Sequence, residues 1–160
     1  MNGEIVSEEE HTMTVFTTIV AGFLTFVLGQ IFIKLVVDPV HDFKRHVAAI
    51  AHSLIEHAAT LSNLPVPEER DPQGIKTHFR KLASRLQATF YLVPCYKFTA
   101  RAFGLPTREN VHKAASTLIG LSNSVFGGDN HRSAWEQQEV YDALGIYVSQ
   151  FNRIPKPPER

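Results

Sequence analysis

Residues 15–37 read VFTTIVAGFLTFVLGQIFIKLVV, and what solvates this stretch decides the fold. It holds one charge, Lys34, near its end, and fifteen of its residues are Val, Ile, Leu or Phe. As a helix rising ~1.5 Å per residue it extends ~35 Å, enough to cross a hydrocarbon core of ~30 Å with modest tilt. At roughly −0.3 to −0.6 kcal/mol each, those fifteen side chains contribute on the order of −7 kcal/mol to insertion. A lysine at the bilayer centre costs about +3 kcal/mol, but Lys34 lies within a turn of the end and its stem can carry the ammonium to the interface. A core helix of a soluble domain keeps a polar face. Here Thr14, Thr17, Thr18, Thr25 and Gln30 are scattered, and threonine can bond its hydroxyl back to its own helix. A cleaved signal peptide has a basic start, a shorter apolar core and a small-x-small cleavage site. This leader carries Glu4, Glu8, Glu9 and Glu10 instead, and Leu35-Val36-Val37-Asp38-Pro39 is a poor cleavage site. The expectation is an uncleaved transmembrane helix over residues 14–37 behind a disordered acidic leader over residues 1–13.

No Lys or Arg precedes the span, whereas Lys34, Lys44 and Arg45 follow it closely. The positive-inside rule then places the carboxyl-terminal domain in the cytoplasm, with the chain a single-pass protein of a cell inner membrane. The single Cys95 and the lack of an Asn-x-Ser/Thr acceptor site are compatible with a reducing compartment. Of the 160 residues, about 120 remain after the span, enough for one hydrophobic core. Acidic and basic side chains balance at 16 each, which argues against nucleic acid as a partner. No cluster of Lys or Arg follows the span, which argues against a polybasic lipid clamp.

Beyond the span the apolar residues recur at helical spacing. Asp38-Pro39 reads as an N-cap and first-turn proline, opening a helix that runs to about residue 62 after a kink or break. Its arc is Val40, Phe43, Val47, Ala51, Leu54, Ile55, Ala58 and Leu61. A breaker-rich connection, Asn63-Leu64-Pro65-Val66-Pro67, leads to a helix over about 73–93 with the stripe Ile75, Phe79, Leu82, Leu86, Phe90 and Val93. A short helix over 95–103 stops at Gly104-Leu105-Pro106. Thr107 caps a helix over about 108–126, which carries Val111, Ala114, Ala115, Leu118, Ile119, Leu121, Val125 and Phe126. Ser133-Ala134-Trp135-Glu136 fits a capping box, so a last helix starts at or shortly before Ser133 and ends near Asn152, with Val140, Leu144, Tyr147, Val148 and Phe151 on one side. The predicted fold is all-α: a transmembrane helix, then an antiparallel four-helix bundle over 38–153 with one short extra helix, then a proline-rich tail over 154–160.

Eight histidines stand out in the composition. His52, Glu56, His57, His78 and His112 are the candidates for a metal site between helices, but no Glu-x-x-His pair occurs, and the juxtamembrane histidines fall on both borders of their helix's apolar arc. Border residues covering the core edge are the favoured reading, with a pH-responsive cluster as a further alternative. Cys95 opens a helix, a position that can lower a thiol pKa, yet it has no identifiable proton acceptor and reads as a small packed hydrophobe. Gly127-Gly128-Asp129 lacks the Gly-Lys-Ser/Thr ending of a phosphate loop, and no nucleophile-elbow sequence is present. Ala21, Thr25 and Gly29, with Gly22 and Gln30 beside them, make a small-residue face suited to close helix association in a bilayer. Tyr91, Tyr96, Phe98, Phe103 and Trp135 read as aromatics closing one end of the bundle, or else as an exposed contact patch.

The phrases Asp38-Pro39-Val40-His41-Asp42-Phe43, Ile50-Ala51-His52-Ser53-Leu54, Val93-Pro94-Cys95-Tyr96 and Leu118-Ile119-Gly120-Leu121-Ser122-Asn123-Ser124 resemble those of uncharacterised bacterial proteins with one amino-terminal span and a helical cytoplasmic domain. The resemblance implies a bacterial inner membrane and no catalytic residue. The functional expectation is a membrane-anchored helical module acting by protein–protein contact, with the lipid bilayer and either a second copy or another membrane protein as partners, and with no cofactor. A metal-binding bundle enzyme or sensor, and an oligomeric pore or toxin, are the alternatives.

Overall fold

The computed structural model describes residues 2–147, with side chains from residue 13 onward. All secondary structure among these residues is helical. In order the elements are α1 (Asn2–Phe32), a π-helical turn (Ile33–Val37), α2 (Asp38–Glu56), α3 (Ala58–Leu61), a 3₁₀ turn (Glu68–Arg70), α4 (Pro72–Leu92), α5 (Tyr96–Phe103), α6 (Arg108–Ser124) and α7 (Asn130–Leu144). The chain divides into two compact units, Met1–Asp38 and Pro39–Arg160.

In the first unit, α1 is long and apolar enough to span a membrane, and none of its most apolar window is buried. The hydroxyls of Thr17, Thr18 and Thr25 donate to the carbonyls of Met13, Thr14 and Ala21 at 2.8–2.9 Å, so these polar groups are answered within the helix. Lys34 pairs with Asp38 at 2.9 Å, one helical turn on. Asp38 is not the N-cap expected of it: its backbone is right-handed helical and its N–H reaches the carbonyl of Ile33. Pro39 accounts for this, since its ring clashes with the carbonyl four residues back and a π turn opens the ladder there. The residues expected to form a disordered leader have helical backbone from Asn2 onward.

In the second unit the core is built from Val40, Phe43, Ile50 and Leu54 of α2, Phe79 and Leu86 of α4, Val111, Leu118 and Leu121 of α6, and Val140 of α7. On a wheel the buried residues Val40, Phe43, Ser53 and Leu54 centre on Ile50 rather than on the expected arc, and Ile55 falls well outside them, which is why Ile50 is fully buried and Ile55 is exposed. The α4 stripe Ile75, Phe79, Leu82, Leu86 and Phe90 is buried throughout, joined by Ala83. Helix α6 lies against both α4 and α7. Its buried face carries Ala114, Ala115 and Thr117, small enough to let the helix backbones approach. By contrast, α2 is joined to α4 through longer side chains: His46 Nε2 donates to the Leu82 carbonyl at 3.0 Å, and Ser53 Oγ and His78 Nε2 are 2.9 Å apart.

Two expected boundaries and one expected cap differ. The helix that opens at Asp38 does not run on to residue 62; it stops at Glu56, and α3 follows after His57, whose backbone N–H and Nδ1 both donate to the Ser53 carbonyl at 3.0 Å. The start of α7 is capped by Asp129, whose carboxylate accepts from His131 N–H at 3.0 Å; Ser133 and Glu136 are buried inside the helix rather than forming its cap. The end of α7 comes at Leu144 because Gly145 takes a left-handed φ of 69°. Val148, Phe151 and the proline-rich tail lie outside the described residues.

Candidate binding cavity at α5

The chain leaves α4 at Val93, which is extended as a residue before proline must be. Cys95 then adopts φ 45°, a left-handed conformation costly for a residue with a side chain, and α5 begins. Two hydrogen bonds to carbonyls hold the excursion in place. Thr99 Oγ1 donates to Pro94 O at 2.7 Å, and Tyr96 Oη donates to Pro106 O at 2.7 Å. Gly104 ends the helix at φ 65°, and Thr107 caps α6 by accepting from Asn110 N–H at 3.3 Å.

Tyr96 packs edge-on to Phe43 of α2 at 6.3 Å between ring centroids and lies 4.4 Å from Phe90 of α4. Burial pushes its hydroxyl up to about 12, so it stays protonated and acts as a donor at any physiological pH. Around this tyrosine opens a cavity of about 730 Å³, lined by Phe90, Cys95, Phe98, Ala100 and Leu105 on its apolar side and by Lys97, Arg101 and Arg108 on its charged side. Among the described residues no acidic side chain lines it. Among the described residues, none of these cations has an ion-pair partner, although the Arg108 guanidinium sits 5.8 Å over the Phe90 ring. The smaller cleft of about 370 Å³ between α6 and α7 differs: its Lys113 is paired with Glu139 at 2.9 Å, and Thr117 donates to the same carboxylate.

Of the aromatics expected to close one end, only part do so. Tyr96 and Phe103 pack on the core, but Phe98 is 79 % exposed and Tyr91 67 % exposed. Cys95 is exposed and is not the packed hydrophobe its sequence setting suggested. The metal candidates scatter. His57 and His78 stack at 5.6 Å, but His57 Nδ1 is committed to the Ser53 carbonyl and His78 Nε2 to the Ser53 hydroxyl. Glu56 Oε2 approaches His57 only to 4.0 Å, His52 is exposed, and His112 lies against Phe90 instead. Among the described residues no three His, Cys, Asp or Glu side chains converge to hold a metal. Ser53 is buried in mid-helix, so its bond to His78 ties two helices and offers no reachable nucleophile. Ala21, Gly22, Thr25, Gly29 and Gln30 are all exposed on α1, and a side chain added at Gly22 or Gly29 would meet nothing.

The sequence reading missed Lys97, Arg101 and Arg108 as a group. The available signal was Tyr96-Lys97-Phe98-Thr99-Ala100-Arg101, in which an aromatic sits between two cations that share a face at i and i+4. No protein-family model, curated protein or solved structure matches the chain.

Proposed function

We propose that the chain is a single-pass membrane protein whose second unit is a four-helix bundle of α2, α4, α6 and α7, with α5 laid across one end, and that it works by binding. Lys34, Lys44 and Arg45 follow the apolar helix, which supports a cytoplasmic position for the bundle in a bacterial inner membrane. The observation that carries the reading is the α5 cavity: apolar, open, rimmed by cations that have no ion-pair partner among the described residues, and flanked by uncovered aromatics on a domain joined to an apolar helix. The small-residue face of α1 supports association with a second copy or another membrane protein.

A photoreactive phenylalanine analogue at Phe98, in the full chain in native membranes, tests this reading. Adducts are expected at position 98 and not at the exposed control Glu69. Equal, background-level adducts at both positions would remove the α5 surface as the binding site.

A further inference from the structure

We infer that the occupant of the α5 cavity is an anionic phospholipid of the membrane that holds α1; this rests on the proposed membrane anchorage. Three observations lead there. The first is charge. Lys97, Arg101 and Arg108 surround the cavity without a carboxylate among its lining residues, and Thr107 and Arg108 add the positive end of α6. Glu109, next along α6, is exposed and does not line it.

The second is the apolar part. Phe98 shares the outer face of α5 with Lys97 and Arg101 and is 79 % exposed, which is the arrangement of an interfacial helix that sinks an aromatic below the headgroups while cations meet the phosphates. A soluble anion such as free phosphate uses the cations but leaves Phe98, Leu105 and Ala100 unexplained. An acidic amphipathic protein segment would use both, but the third observation favours lipid.

That observation is position. Tyr96, in the cavity wall, packs on Phe43, which follows Asp38 by about 7.5 Å of helix. The cavity is therefore at the end of the bundle where the chain continues into α1. With α1 inserted, the chain tethers this domain to a lipid surface and raises the local lipid concentration. The sequence has no polybasic run after the span; the fold assembles the cations from α5 and α6 instead. Together they weight the docked state by roughly a hundredfold on an anionic surface.

Cys95, exposed in the same cavity, offers a place for a probe. The full chain is labelled there with nitrobenzoxadiazole and reconstituted into phosphatidylcholine vesicles, with or without about one-third phosphatidylglycerol, all containing headgroup-region spin-labelled lipid. Protease protection first establishes that α1 is inserted; failure at that step counts against the anchorage and not against the site. With α1 inserted, quenching is expected to be at least about twofold stronger with phosphatidylglycerol. It should fall to the phosphatidylcholine level in about 0.5 M salt, where the screening length is roughly 4 Å. The same loss is expected for the double variant Lys97→Gln/Arg101→Gln and for Phe98→Ser, both at exposed positions and both checked for unchanged helicity. A probe at Glu69→Cys in a Cys95→Ser background should not respond to lipid charge. Equal quenching in both lipids overturns the proposal, as does phosphatidylglycerol-dependent quenching that survives the double substitution. Adducts at position 98 with protein but not lipid, in the native-membrane experiment, would assign the cavity to an acidic protein segment instead.

Discussion

Glu136 has one carboxylate oxygen satisfied and one not. Oε1 accepts from Arg132 Nε at 2.9 Å, while Oε2 is buried with no hydrogen-bond partner among the described residues, as is Ser133 Oγ. Gly120 faces it from α6, and a Cβ there would come within 3.3 Å of Oε1. Burial pushes the Glu136 carboxyl above the ordinary range; Arg132 pulls it back and Glu139 adds to the rise. A carboxyl raised in the folded state binds protons that the unfolded chain has released, so stability falls as pH climbs above the usual carboxylate range. Glu136→Gln is therefore expected to melt with wild type near pH 4 and above it at pH 8; a gap that stays constant with pH would contradict this. His78 runs the other way. Burial chiefly, then the neighbouring His57 and Lys81, lower it, with Glu56 opposing. A lowered imidazole favours unfolding as pH falls below about 6.5. His78→Gln, which can keep the tie to Ser53, should flatten the melting temperature between pH 7.5 and 5, and an unchanged pH slope would exclude His78 as its source. Glu136 could have been read as a core-facing residue, because it lies one turn before Val140 on the same face. The capping-box pattern masked that, and the better cap, Asp129, lay four residues earlier.

At the scale of elements, periodicity was a reliable guide and competition was not. The α4 and α6 stripes appear in the fold nearly as their spacing dictates, since one buried face per helix is what a single core requires. The break at His57 left no trace in the apolar pattern, because Ala58 and Leu61 keep the helical spacing of α2 across it. The end of α7 was marked by Gly145, but Tyr147, Val148 and Phe151 continue the helical spacing past it and draw the reading on. Tyr147 is in fact 89 % exposed. For α5, Gly104 is the stop signal, and its φ of 65° makes it hard to replace. Gly104→Ala is expected to cost about 1 kcal/mol in thermal melts of the chain in detergent, although a Cβ there meets no other atom. No loss would mean that the backbone relaxes at no cost. The close packing of α6 makes a stronger demand: Ala115→Leu should cost about 2 kcal/mol by overfilling a fully buried position, lowering the melt by roughly 10 °C. An unchanged melt would show that the core around Ala115 can take a larger side chain without strain.

Across the whole molecule the two units divide the physical work. Pro39–Arg160 has its own buried core, whereas the apolar residues of α1 have none to enter. The sequence made that contrast plain, because the stretch over 15–37, with fifteen large apolar residues and scattered polar ones, has no polar face to offer water. It could not show that Lys97, Arg101 and Arg108 meet around one cavity, since that depends on how Pro94, Gly104 and Pro106 fold α5 back between α4 and α6. Everything proposed for the cavity depends on where α1 resides. Alkaline carbonate extraction of membranes carrying the full chain, beside a form beginning at Pro39, measures this most directly. The full chain is expected to stay in the membrane pellet and the shortened form to be released. Release of the full chain into the supernatant would contradict the membrane anchorage.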